Sequence, residues 1–384
     1  MARAAPVRVE PVAGRRALRA FVGLPFSLYR DHPLWVPPLL RDELETFDPR
    51  RNPAYARAET RLFLAWRDGR PVGRVAAILN HAANRKWGTR NLRFGWFDSI
   101  DDPAVAGALF QAVEDWGRSR GMETLTGPHG FCDLDPQGML IEGFDQLPTI
   151  AVYYNYPYYP RLLEGCGFEK EIDYVEFLTP VPHDGGIPER LLRIEEKLRR
   201  RSRVRILEFR HRREVLRRAP ELFTLLDETF EGIYGTVPLT EGQRAYYIRK
   251  YIHFVTPQTV KMAVNARGEL VGFMLAMPSL SRAFQRARGR LWPFGWWWLW
   301  RGLHDREILD FYLAGIREGY RNQGIDLRMV LAMARTALAM GFRLTESNPT
   351  LETNTRIHAQ WKHFGPRLHK RRRIFRKPLA APGR

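Results

Sequence analysis

Apolar and polar positions alternate through LFLAWRDGRPVGRVAAIL (62–79), with Asp-Gly between two such runs. That pattern predicts strand, tight turn, strand. VKMAVNARGELVGFMLAMP (260–278) repeats it around an Arg-Gly pair. A mostly apolar run follows each hairpin, LRFGWFDSI (92–100) and EILDFYLAGI (307–316), and reads as a buried strand. Helix-period segments come next, AVAGALFQAVEDWGRSRGM (104–122) and DLRMVLAMARTALAMGF (326–342), each stopping at a glycine suited to a left-handed C-terminal turn. Then come short strands, METLTGP (122–128) and FRLTESNP (342–349). Further helices are predicted over YYPRLLEGCGF (158–168) and RIHAQWKHFG (356–365). EKEIDYVEFL (169–178) and KRRRIFRKP (370–378) are the closing strands.

One set of elements recurring after about two hundred residues argues a duplicated α/β domain. The expected halves are 1–180 and 181–384, joined by the Pro/Gly-rich TPVPHDGGIP (179–188). PERLLRIEEKLRRRSRVRI (188–206) reads as a solvated helix opening the second half. Between hairpin and central strand, the second half carries about twenty extra residues, among them RLWPFGWWWLWRGL (290–303).

Composition narrows the partners. The 384 residues are 45% hydrophobic and 27% charged, which is globular and long enough for two domains. The net charge of +19 points to nucleic acid, an anionic membrane surface, or a phosphate-bearing molecule such as a CoA thioester. Cys132 and Cys166 make neither a disulfide framework nor a metal set, so no metal is expected and the compartment reads as reducing. No apolar signal segment is read at the N-terminus. The run from Leu291 to Trp300 has half the roughly twenty residues that a spanning helix needs. A cytoplasmic protein, peripheral on the inner membrane, is expected.

Candidate chemistry sits in REGYRNQGIDLRMV (317–330), where a strand runs through a turn into a helix. Free N–H groups and the dipole at a helix N-terminus attract a pyrophosphate. Arg321 adds positive charge, and Gly324 allows close backbone approach. Arg321, Asn322, Gln323, Gly324 and Ile325 resemble the acyl-CoA loop of the GNAT acyltransferases, [Q/R]-x-x-G-x-[G/A]; Asp326 departs from it and could instead cap the helix. The matching stretch of the first half, SIDDPAVAGALF (99–110), puts Asp101, Asp102 and Pro103 where phosphate would sit. That half is expected to shape a substrate cleft without binding CoA. LPFSLYRDHPLWVPPLLRDE (24–43), GPHGFCDLDPQGMLIEGFDQLP (127–148), YYNYPYYPRLLEGCGF (153–168) and LTESNPTLETN (344–354) extend the resemblance over nearly the whole chain. They resemble a family of tandem GNAT proteins of bacteria, largely of unassigned function, that includes bacterial ceramide synthases.

The resemblance implies two GNAT-like α/β domains, each a mixed, mostly antiparallel sheet flanked by helices. It implies acyl-CoA or acetyl-CoA as cosubstrate, with no bound cofactor, and an amine acceptor that is amphiphilic and sphingoid-base-like. Leu313, Ala314, Gly315 and Ile316 become the edge whose backbone N–H meets the thioester carbonyl, and Asn354 joins the CoA contacts. A tyrosine is usual on the last helix as general acid; Trp361 stands there. Glu346 is the first candidate for general base and Glu352 the second, with His358 nearby. His129, Asp133 and Asp135 in HGFCDLDP offer substrate contacts, or turn chemistry alone.

The extra segment gathers five of the chain's eleven tryptophans, with Arg282, Arg286, Arg288, Arg290, Arg301 and Arg306 around them. Residues 282–306 read foremost as an interfacial contact with an anionic membrane. A protein interface or acyl-chain pocket is the second reading, and core packing the third. Two rival functions remain: an aminoacyl-tRNA-dependent transferase of the Fem type, against which the intact loop weighs, and a non-enzymatic lipid- or protein-binding module.

Overall fold

A computed structural model of the protein describes residues 5–183, 186–355 and 364–379. Along the first half run β1 (Arg8–Pro11), α1 (Gly14–Leu28), α2 (Leu40–Thr46), β2 (Ala58–Arg67), β3 (Arg70–Asn80), α3 (His81–Trp87), β4 (Asn91–Ser99), α4 (Pro103–Ser119), β5 (Thr124–Gly127), β6 (Met139–Glu142), α5 (Tyr159–Gly165) and β7 (Glu169–Pro180). The second half opens with α6 (Glu189–Arg201), β8 (Arg205–Glu208), α7 (Arg212–Thr229), α8 (Glu241–Tyr251), β9 (Val260–Val264) and β10 (Leu270–Pro278). It continues with α9 (Ser281–Ala287), α10 (Gly295–Gly302), β11 (Ile308–Ile316), α11 (Ile325–Met340), β12 (Leu344–Ser347), β13 (Thr350–Leu351) and β14 (Arg367–Pro378).

The chain divides into two compact units that do not follow the sequence halves: Met1–Val175 with Ser281–Trp298 and Lys370–Arg384, and Glu176–Leu280 with Leu299–His369. In the first unit β1 to β5 are neighbours in order, and β14 lies beside both β5 and β6. In the second the order is β7, β12, β11, β10, β9, β8. Only the pairs β4–β5 and β11–β12 are parallel among the registered pairs of these sheets, so each is mixed and mostly antiparallel, as the sequence predicts. The closing strands are exchanged. Residues 178–180 of β7 pair with β12, while 375–378 of β14 pair with β5.

Local chemistry accounts for the frame. The β2–β3 turn uses Asp68 and Gly69, both at positive φ, and the β9–β10 turn uses Gly268 at φ 79°. Helix α4 begins with Asp102, whose carboxylate accepts from the Ala104 N–H, and Pro103 at its first position. Its buried residues Val105, Leu109, Phe110, Val113 and Trp116 recur at helical spacing against the sheet. Helix α11 buries Met329, Val330, Met333 and Ala337 in the same manner and ends at Gly341, φ 80°. A buried polar knot ties the first unit together: Arg74 donates to Asp98 at 2.8 Å, and the Tyr29 hydroxyl donates to Asp98 at 2.9 Å.

Candidate active site

Strand β11 pairs with β12 only through Ile308–Phe311, and with β10 as far as Ile316. A bulge at Tyr312 falls where the strands part. The Asn348 N–H takes the Phe311 carbonyl at 3.0 Å where β12 turns away. Leu313 to Ile316 therefore form a stretch bonded on one side to β10, the geometry a ligand's hydrogen-bonding group can enter. Gly315 is required by contact: a Cβ there would lie 2.5 Å from Thr229 Oγ1 on α7.

The turn after β11 leads into α11. Asn322 and Gly324 both stand at positive φ, 63° and 69°. Gly324 is the N-cap residue and supplies no capping side chain. A Cβ there would lie 2.4 Å from Leu198 Cδ1 on α6. The Arg321 Nε donates to the Ile316 carbonyl at 3.1 Å, and Gln323 Nε2 to the Gly319 carbonyl at 3.0 Å. Asp326 Oδ1 accepts from the Leu327 N–H at 2.9 Å, so its carboxylate is held in the first turn of its own helix. The matching helix start in the first unit differs: Asp102 caps α4 and pairs with Arg67 at 2.7 Å. A side-chain anion already occupies that end, and its pKa is lowered; burial opposes this but is outweighed by Arg67 and the capped N–H groups.

Beside the parting strands lies a buried acidic group. Glu346 on β12 is 3% exposed and stands in register with Asp310 on β11, which is fully buried. Tyr312 donates to Asp310 Oδ2 at 3.3 Å. Burial foremost, then the charges of Asp310 and Glu346, hold its phenol well above the ordinary tyrosine value. Glu176 on β7 and His369 on β14 complete the group, with His369 Nε2 3.5 Å from Glu346 Oε1. Sequence reading missed Asp310, Tyr312, Glu176 and His369, which come from three strands far apart in the chain. The available signal was a charged residue inside an apolar strand, as in YVEFL and ILDFYL.

Glu352 and Asn354 follow β13, with the Asn354 N–H on the Leu351 carbonyl at 2.9 Å. His358 and Trp361, and most of the helix predicted over 356–365, lie outside the described residues. In the first unit, Asp135 accepts from the Phe131 and Cys132 N–H groups at 2.8 and 3.3 Å, the chemistry of a turn. His129 is buried, and burial, then the Arg93 charge, holds it well below its ordinary pKa.

Residues Ser281–Trp298, which hold most of the extra segment, belong to the first unit. Gln285 Nε2 donates to the Pro33 carbonyl at 2.7 Å, and the Leu40 N–H to that of Gly289 at 2.9 Å. Together with α1 and α2 these residues line a groove of about 660 Å³, bordered by Phe26, Leu40, Arg288, Arg290, Trp292 and Trp298. Arg286 lies 4.7 Å over the Trp298 ring. Trp292 is 81% exposed, Phe294 71% and Trp296 55%. Among the described residues, no helix is long and apolar enough to cross a membrane.

Two units of like topology, the second with a parting central strand and a glycine turn into a helix, define the class: this is a tandem GNAT fold. A tandem GNAT protein from the clavulanic acid biosynthesis pathway superposes with a TM-score of 0.57 at 13% identity, over 98% of this chain and 100% of that one. No protein-family profile matches the chain. It is 29% identical over 387 residues to the bacterial ceramide synthase of Caulobacter vibrioides (strain NA1000 / CB15N), covering 98% of each. It is 27% identical over 380 residues to Protein YghO of Escherichia coli (strain K12), covering 97% of this chain and 95% of that protein.

Proposed function

We propose that the protein is an acyl-CoA-dependent N-acyltransferase whose acceptor is an amphiphilic, sphingoid-base-like amine taken from an anionic membrane surface. The observation that carries this is the second unit's glycine turn, Arg321 to Asp326, opening α11 directly after a strand that has parted from β12. The N–H groups at the start of α11 other than that of Leu327, which Asp326 takes, and the backbone of Asn322 and Gly324 would hold the pyrophosphate, with Arg321 supplying charge. An N–H within Leu313–Ile316 would take the thioester carbonyl oxygen as negative charge develops on it. The amine nitrogen attacks that carbonyl carbon, the C–S bond breaks, and sulfur leaves as thiolate. Glu346 receives the proton that the amine sheds; its burial gives it a site screened from bulk water. Glu352 is the second candidate for that role. The full-length likeness to a bacterial ceramide synthase supports the choice of acceptor.

The first unit would bring the enzyme to its lipid. Trp292, Phe294 and Trp296 offer apolar surface at headgroup depth, and Arg286, Arg288 and Arg290 lie beside them. Each such cation contributes about 1 kcal/mol at an anionic leaflet. The reading is tested by calorimetric titration of an acyl-CoA into wild type and Arg321→Glu. One molecule per chain, and loss of binding in the folded variant, is the expected result. Equal affinities would remove the basis for CoA dependence.

A further inference from the structure

Glu176, Glu346 and His369 lie in the second unit, and one donor atom of each falls within 4.8 Å of the other two. The His369 side chain is 4% exposed, and neither ring nitrogen has a hydrogen-bond partner among the described residues. Buried imidazoles ordinarily satisfy at least one nitrogen. The separation of 3.5 Å between His369 Nε2 and Glu346 Oε1 exceeds the N–H···O range, which ends near ~3.2 Å. It matches instead the edge of a tetrahedron with bonds of ~2.1 Å, about 3.4 Å. A shared ion between the two atoms requires that spacing.

We propose that Glu176, Glu346 and His369 form a site for one divalent transition-metal ion of the zinc type. Two carboxylate oxygens and one neutral imidazole nitrogen are a donor set that zinc takes in tetrahedral geometry, leaving one position for water. Magnesium and calcium prefer more ligands, all of them oxygen. The donors stand on three strands of a sheet, which hold them with little freedom to rearrange. One consequence rests on the reading of Glu346 as proton acceptor: the same carboxylate cannot ligate a metal and take a proton from an amine. Metal and acceptor amine therefore exclude one another, and the ion acts as an inhibitor competitive with the amine.

The test is calorimetric titration of Zn²⁺ into chelator-stripped full-length protein, with Glu176→Gln and His369→Gln beside it and melting curves as the check on folding. One Zn²⁺ per chain is expected, with affinity reduced at least about 10-fold in each variant and no comparable uptake of Mg²⁺. Wild type that takes up no Zn²⁺, or variants that bind as wild type does, overturns the site. If a variant does not fold, the visible spectrum of Co²⁺-loaded wild type decides: intense tetrahedral bands support the site, and the weak bands of aqueous Co²⁺ overturn it. Neither measurement uses a substrate, so both hold whether or not the chain transfers acyl groups. Inhibition that raises the KM for the amine with kcat unchanged supports mutual exclusion; inhibition that lowers kcat alone overturns that consequence.

Discussion

Replacing Gly324 with alanine isolates the turn proposed to bind CoA. The residue stands at φ 69°, ψ 17°, and a Cβ would meet Leu198 Cδ1 at 2.4 Å. The left-handed backbone costs a non-glycine residue about 1–2 kcal/mol. Crowding of Leu198 adds up to about 1–3 kcal/mol before that flexible tip yields. The backbone term must appear somewhere. If the turn keeps its shape in the free protein, Tm falls by about 2–8 °C with CoA affinity unchanged. If the turn flips to relieve the strain, Tm holds and CoA affinity falls about 5- to 30-fold, since the bound shape must then be recovered. Gly324→Asn, which tolerates positive φ better, should lose less on either scale. Combining Gly324→Ala with Leu198→Ala should remove the crowding and leave the backbone cost. Calorimetric CoA titration together with thermal melts measures both terms. A Gly324→Ala variant with wild-type Tm and wild-type affinity would show that the left-handed turn carries no such cost.

Further predictions concern other sites. Glu346→Gln should lower kcat by about 10²–10⁴-fold and leave acyl-CoA affinity unchanged, as steady-state kinetics and calorimetry will read; an unchanged kcat removes Glu346 from proton transfer. Replacing Trp292, Phe294 and Trp296 with serine should weaken vesicle binding even at high salt. Replacing Arg286, Arg288 and Arg290 with glutamine should remove about 3 kcal/mol, roughly 100-fold, at low salt only; co-sedimentation with anionic vesicles checks both. Asp173 is buried and accepts from Arg373 at 2.8 and 3.1 Å and pairs with Lys170 at 3.1 Å. Burial would raise its carboxyl, but these partners outweigh it and hold the pKa below the ordinary value. Its stabilisation is therefore present above an unfolded pKa of about 3.9 and lost as pH falls through the lower folded value. Asp173→Asn should flatten that part of the acid-melting curve, and a variant whose curve keeps the wild-type slope contradicts the assignment.

Hairpins, central strands and long helices were legible because their signals are local. Asp68-Gly69 announces a turn, and Val105, Leu109 and Val113 announce a helix face wherever they occur. Pairing partners are not local. EKEIDYVEFL and KRRRIFRKP look alike as strands, and nothing in their period says that 178–180 join β12 while 375–378 join β5. Chain exchange of this kind is set by the whole sheet. The turn from Arg321 to Asp326 was visible because glycine and strand–helix order carry it. The group formed by Glu176, Asp310, Glu346 and His369 was half hidden for the opposite reason: only Glu346 sits in a recognisable stretch, and topology supplies the rest. The tryptophan segment was expected as an interfacial element, and four of its aromatic side chains are more than half exposed. Its division into α9, a turn and α10, with Gly289 bonded to Leu40 at the start of α2, could not be read from composition.

The most direct test of acyl transfer is CoA release measured together with mass-spectrometric detection of the N-acyl product. Purified protein would be supplied with long-chain acyl-CoA and a sphingoid base in anionic vesicles. CoA and amide should form one to one, and Arg321→Glu should be inactive. Product formed only from aminoacyl-tRNA, or no amide from any acyl-CoA and amine pair while the protein is folded and bound to the vesicles, would contradict acyl transfer from CoA.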